Sequence, residues 1–419
     1  MLKVFQSVGK NFHERFFLYA CFFMAIVLPF GKAPVSIAAA LFLINWILEG
    51  GFKEKWNLLK KNPYAWLFSS VYLIHVLAMI YTTNVAFGLF DLQIKLSLLI
   101  MPLVFFSSKM KLIDENRQKI FLLFVISCFF AALICLVKSA WNYTSSIYIF
   151  YYESFSFFMH PAYFSMYLNL ALLMILFDLE SIWTGHVFAK IFLLFCCVFF
   201  PFAIILLSSK IGFLMMGIIF VFFASYMVFV KRKFYIGIVS IVLFLSSLLY
   251  LIFFSQAAFD RFKLSSYALF NDSKLDPKEG TTVRMHIWKA GLELVSDSPW
   301  IGYGTGDIKD VLMNKYLDKG ILEAYKYKLN AHNQFIQICI ATGLLGFIIL
   351  LLSFFYPMLV SFRLKNYLYA LFLLTIILNL LVESMLETQA GVIFYAFFNS
   401  LFAGLLTFKK KNPTTELDI

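Results

Sequence analysis

Twelve runs of mainly apolar residues follow one another along the chain, parted by short polar breaks. They cover 16–30, 34–49, 64–81, 89–106, 119–140, 161–178, 187–207, 211–230, 235–254, 332–358, 366–383 and 390–407. A membrane span needs about 20 mostly apolar residues, and lipid offers the backbone no hydrogen-bond partner, so each run is read as a helix. Leu207 to Ile211 is short enough for a tight reversal. One interval breaks the rhythm, the long polar segment 255–331. The pattern predicts an all-α polytopic membrane protein with about twelve transmembrane helices. Nine lie in 1–254 and three in 332–408; a large loop, 255–331, separates the ninth from the tenth, and a tail, 409–419, ends the chain.

The loop has helical periodicity of its own. Val283, Ile287, Ala290 and Leu294 recur on one face, with Trp288, Leu292 and Val295 alongside. Thr281-Thr282 are the expected cap, and Ser298-Pro299 the stop. Gly302, Gly304 and Gly306 form a turn, Asp307 is expected to cap a second helix, and Gly320 to close it near Lys319. Two amphipathic helices then need either lipid or the span bundle for their apolar faces.

Charge sets an orientation. With the N-terminus inside, nineteen Lys and Arg fall at the inner ends of the runs, in clusters such as Lys53, Lys55, Lys60 and Lys61, or Lys231, Arg232 and Lys233. The short outer loops hold three, Lys32, Lys138 and Lys210. Basic residues collect on the cytoplasmic side, so both termini are expected in the cytoplasm and the 255–331 loop outside. The run that begins near residue 16 resembles a signal peptide but lacks a small-residue cleavage site, and is read as a retained span.

Composition narrows the class. With 62% hydrophobic and 14% charged residues, a chain of 419 could not hide its apolar surface in a soluble core. The net charge of +12 sits in loops between spans rather than on a soluble domain, so membrane lipids, not nucleic acid, are the expected partners. The six cysteines all lie within apolar runs, which gives neither a disulfide framework nor paired metal spacing. No internal repeat of the kind that marks many secondary transporters is found.

Candidate chemistry gathers at the outer ends. His332, where the loop re-enters the membrane, has the side chain for a general base at neutral pH; a histidine capping a span would look the same. Arg284 could grip a phosphate with its planar fork or simply meet solvent. Lys210, after Ser208-Ser209, could hold a lipid-borne phosphate or snorkel to headgroups. Glu383 and Glu387 lie near the outer end of the eleventh run and could bind acceptor hydroxyls or face an aqueous cavity. Gly302 and Gly304 could present backbone N–H groups to phosphate, or form a plain turn. Asp91 and Lys95, four apart, are expected to pair, and His160-Pro161 reads as a helix start. No carboxylate cluster is set out for a divalent metal, and no P-loop or dinucleotide fingerprint is present.

These residues together resemble a known family. Arg284-Met285-His286-Ile287-Trp288, Ser298-Pro299-Trp300-Ile301-Gly302-Tyr303-Gly304, Ala331-His332-Asn333-Gln334-Phe335 and Gly343-Leu344-Leu345-Gly346 are similar, in order and spacing, to the O-antigen ligase and polymerase superfamily. The resemblance extends to the topology of the whole chain and implies a GT-C-like fold. It implies a metal-independent glycosyltransferase without a cofactor, acting at the outer face of the bacterial inner membrane on a glycan carried by undecaprenyl pyrophosphate. A ligase of the family passes that glycan to lipid A-core or a similar lipid or glycolipid acceptor; a polymerase joins it to another lipid-linked unit. By the same resemblance His332 would activate the acceptor hydroxyl, Arg284 would bind the pyrophosphate, and Asn333 would support the site. Lys210 stands where ligases usually carry Arg, keeping the charge without the fork. Two readings from other classes make different demands: a lipid-linked glycan flippase or transporter needs charges along a central cavity, and a scaffold with a partner-binding loop needs neither Arg284 nor His332.

Overall fold

The computed structural model describes residues 2–178, 187–255, 258–259 and 280–411, and among these every regular element is helical. Within the expected loop the stretch 260–279, and within the expected tail residues 412–419, lie outside the described residues. Nine helices among the described residues are long and apolar enough to cross a membrane. The other three predicted runs are helical but not single long spans. Ala33–Leu48 and Phe52–Lys60 meet at a bend of 112°, at Gly50 and Gly51, both with positive φ. Pro161–Phe177 and Tyr367–Leu380 are shorter. Every residue from Pro161 to Ile175 is buried, as expected of a helix apolar all round that packs against protein on every side.

Contacts sort the helix ends into two groups, as twelve alternating runs require. At one end Glu14 pairs with Lys109, Trp46 donates to Ser107 Oγ at 2.7 Å, and Arg117 reaches Asp178 at 3.4 Å. At the other, the 28–31 turn packs on the 158–160 segment through Phe30 and Phe158, 5.3 Å between ring centres. The same end gathers Thr83, Lys210, Arg284, His332 and Glu383 through the contacts described below.

The loop helices Gly280–Asp297 and Ile308–Asp318 pack together, and they turn their apolar faces to the bundle. Val283, Ile287, Ala290 and Leu294 form one core with Ile308, Leu312 and Tyr316 and with Ile336, Ile340 and Ala341 of the Gln334–Arg363 helix. A short helix, Leu322–Lys326, completes the loop. Gly320 closes the second helix as expected: its φ is +66° and Ile321 N–H bonds back to Tyr316 O at 2.8 Å.

Two expected caps are corrected. Thr281 and Thr282 are themselves helical, within Gly280–Asp297, so they do not cap a helix that starts at Val283. Asp307 holds the N-cap position of the second helix but makes no capping hydrogen bond. Its carboxylate turns away and accepts from Thr83 N–H at 2.8 Å, Thr83 Oγ1 at 2.7 Å and Asn84 N–H at 2.7 Å. Three donors outcompete one cap, and they latch the loop to the 82–84 turn between spans.

Candidate active site

The site is assembled from three parts of the chain, each set by local sequence. The first is the Gly280–Asp297 helix of the loop, which carries Arg284. The second is Asn330–Asn333. Asn333 caps the Gln334–Arg363 helix by accepting from Phe335 N–H at 2.9 Å and Ile336 N–H at 3.2 Å, which leaves His332 on the last step before the span. The third is the segment 383–388 between the Tyr367–Val382 and Gln389–Lys411 helices. Glu383 ends the first of these in extended conformation.

Glu383 joins the three. One carboxylate oxygen accepts from Arg284 Nη2 at 2.5 Å, and the other lies 3.2 Å from His332 Nδ1. A carboxylate only accepts, so the imidazole proton sits on Nδ1 and Nε2 is left as the basic nitrogen. Only one of the five guanidinium N–H donors is used in the contact with Glu383, and the Arg284 side chain is about a third exposed, against 8% for Glu383. Burial acts to raise the Glu383 pKa, but the His332 hydrogen bond and the Arg284 charge outweigh it and hold the carboxyl below its ordinary value.

His332 is fixed by its backbone as well. It has φ +45°, a left-handed conformation uncommon outside glycine and found where the surroundings over-determine it. Its N–H donates to Asn330 Oδ1 at 3.0 Å, and its carbonyl accepts from Trp288 Nε1 at 3.4 Å. Trp288 is one helical turn beyond Arg284, so one helix face delivers the guanidinium and braces the histidine. Asn333 N–H donates to Ser384 Oγ at 3.1 Å, tying the histidine segment to the residue after Glu383.

Lys210 reaches the same helix from another direction. Ser209 caps the Lys210–Ser225 helix through Gly212 N–H at 3.2 Å, and Lys210 Nζ donates to Thr281 Oγ1 at 3.2 Å. Thr281 and Arg284 are three apart, hence on one face. The structure therefore brings Arg284, His332 and Glu383 into direct contact and Lys210 to within one helical turn of Arg284.

Glu387 is placed differently. Its two oxygens face inward, to Lys95 Nζ at 2.8 Å and Gln334 Nε2 at 2.9 Å. The expected Asp91–Lys95 pair is present at 2.5 Å, and Glu387 extends it to a buried triad. Gln334 Oε1 also accepts from Leu386 N–H at 2.8 Å. Segment 383–387 is thus held at both ends, by Arg284 and His332 at one and by Lys95 and Gln334 at the other.

Gly302 and Gly304 sit at a helix break. Tyr303 N–H and Gly304 N–H are bonded to Ile340 O at 2.8 Å and Ala341 O at 3.0 Å. Gly343 opens the break with φ +65°, and a Cβ there would lie 2.2 Å from the Trp300 carbonyl. The glycines let the Pro299–Gly304 strap dock on carbonyls freed by the kink.

Two residues that the sequence offered only as a helix start and as part of a motif lie at the site. His160 caps the Pro161–Phe177 helix. Burial lowers its pKa, Glu383 acts to raise it, Arg284 acts to lower it, and the net shift is downward; the charges of the site thus reach it. The Gln334 side chain was the other. Pro161 signals a helix start and nothing more, and no local spacing ties Gln334 to Glu387, 53 residues on.

Residues 193–351 match a protein family described as O-antigen ligase. The matched interval holds Lys210, Arg284 and His332 but ends before Glu383. No curated protein matches the chain significantly.

Proposed function

Because the chain belongs to the O-antigen ligase and polymerase superfamily, we propose that it is a ligase-type membrane glycosyltransferase. In this reading it moves a glycan from undecaprenyl pyrophosphate to a hydroxyl of lipid A-core or a similar acceptor, without a metal ion. The observation that carries the proposal is the chain of contacts Arg284–Glu383–His332 at the end of the bundle where the loop docks.

The chemistry follows from those contacts. His332 Nε2 accepts the proton of the acceptor hydroxyl while Glu383 steadies the imidazolium that forms. The acceptor oxygen bonds to the anomeric carbon, and the bond from that carbon to the pyrophosphate oxygen breaks. Negative charge grows on the leaving pyrophosphate. Arg284 and Lys210 stabilise it. The donor is already activated, so the step needs neither nucleotide nor redox partner. The nineteen-to-three asymmetry of basic residues supports a cytoplasmic position for both termini and a periplasmic one for this site.

Glycan analysis of a deletion strain tests the assignment. Full-length polymer accumulating on the lipid carrier supports a ligase. Single repeat units on lipid A-core support a polymerase instead, and unchanged glycans overturn both.

A further inference from the structure

A cavity of about 210 Å³ lies beside the chain break that follows Glu383 and Glu387. Three separate parts of the chain wall it: the turn after the first helix, residues 158–167, and residues 388–390 directly after Glu387. His160 and Tyr163 line it on one side, and residues 388–390 on the other continue directly from the 383–387 segment that carries Glu383.

The lining has two characters. Phe158 and Tyr167 give it aromatic wall, and His160, Tyr163, Thr388 and Gln389 give it polar atoms. Several of these are held in place before any ligand arrives. Tyr167 donates its hydroxyl to Ala390 O at 3.0 Å and stacks on Phe394 at 4.1 Å. Gln389 donates to Ser36 Oγ at 2.8 Å, which fixes the orientation of its carboxamide. A prenyl chain would be best served by carbon on every side, since it satisfies no polar group it covers. A hydroxylated ring suits both parts of the wall: its C–H face lies on an aromatic ring and its hydroxyls meet the polar side chains. The size agrees, because a cavity on the order of 150 Å³ already accommodates benzene, and a pyranose is a six-membered ring with more substituents.

We propose that this cavity is a subsite for a single pyranose ring, belonging either to the acceptor or to the transferred end of the donor glycan. The inference rests on the glycosyl-transfer reading above. It assigns recognition of the sugar to His160, Tyr163, Thr388 and Gln389, apart from the pyrophosphate contacts of Arg284 and Lys210.

The test is steady-state kinetics of the purified full chain in lipid nanodiscs, with a prenyl-pyrophosphate-linked glycan donor and a glycolipid acceptor. Val35→Phe fills the cavity from its apolar side, and Tyr163→Phe with Gln389→Met removes polar contacts with little change of shape. Either change is expected to raise one KM about tenfold while kcat falls much less. A raised acceptor KM assigns the ring to the acceptor, and a raised donor KM assigns it to the donor. Folded variants with both KM values unchanged overturn the subsite, as does a donor penalty that disappears when the prenyl chain is shortened. Failure of the underlying reading looks different: the wild-type protein then shows no transfer, or His332→Ala transfers as well as wild type.

Discussion

His332 Nδ1 lies 3.2 Å from a Glu383 oxygen whose neighbour on the same carboxylate holds Arg284. One buried carboxylate therefore sets the tautomer of the histidine and the position of the guanidinium together. Imidazole and guanidinium cannot be adjusted independently, and disturbing Glu383 disturbs both.

Replacing Glu383 by Gln removes the charge and frees the imidazole to adopt the other tautomer. Transfer should fall by about 10²–10⁴, the range associated with a positioned general base, with little change in membrane insertion. Initial rates of glycan transfer, normalised to inserted protein, check this. A rate within threefold of wild type would show that the carboxylate does not orient His332.

The same contact gives stability a pH dependence. The Glu383 carboxyl is held below its ordinary value of 4.5 in the folded protein, so the unfolded chain binds its proton more readily. The stabilisation is fully present above the ordinary value and is lost as pH falls through the folded one. Thermal unfolding from pH 7 to pH 3 should show acid destabilisation that is smaller in Glu383→Gln. Parallel acid profiles for the two proteins would contradict the assignment.

Lys95 is fully buried between Asp91 and Glu387. Lys95→Met leaves two carboxylates facing each other away from water, at a cost of about 3–5 kcal/mol. Lys95→Met combined with Glu387→Gln should recover much of the loss, because one surplus charge is removed and Gln can still meet Gln334. Midpoints of thermal unfolding in detergent measure both, and a double variant no better than the single would exclude a charge effect.

Gly343→Ala places a Cβ 2.2 Å from the Trp300 carbonyl at φ +65°. Strain of this kind costs about 1–3 kcal/mol, and it should lower the unfolding midpoint and loosen the 299–304 strap. Amide exchange at Tyr303 and Gly304, whose N–H groups bond to Ile340 and Ala341, should speed up. Unchanged exchange would mean that the close approach is not needed.

Most of the architecture was legible in the sequence because membrane burial leaves a coarse signal: twelve apolar runs, polar breaks and the face of Val283, Ile287, Ala290 and Leu294. His332, Arg284 and Lys210 were legible as candidates because each is a polar group at the end of an apolar run or on the loop. Their arrangement was not. Glu383 is 99 residues from Arg284 and 51 from His332, and no periodicity links them. Asp307 looked like a cap because local spacing cannot reveal that Thr83 and Asn84 offer three donors from 223 or 224 residues away. Gly302 and Gly304 suggested an anion nest or a plain turn, and the carbonyls that the kink at Gly343 supplies to their neighbourhood's N–H groups left no local signal.

The most direct test of the central claim is glycan transfer in vitro by His332→Ala, with Arg284→Ala alongside, from an undecaprenyl-pyrophosphate-linked donor to a glycolipid acceptor. Both variants should insert at wild-type levels and transfer no detectable glycan. Wild-type rates in His332→Ala would contradict the account, because the Glu383–His332 pair would then have no part in the reaction.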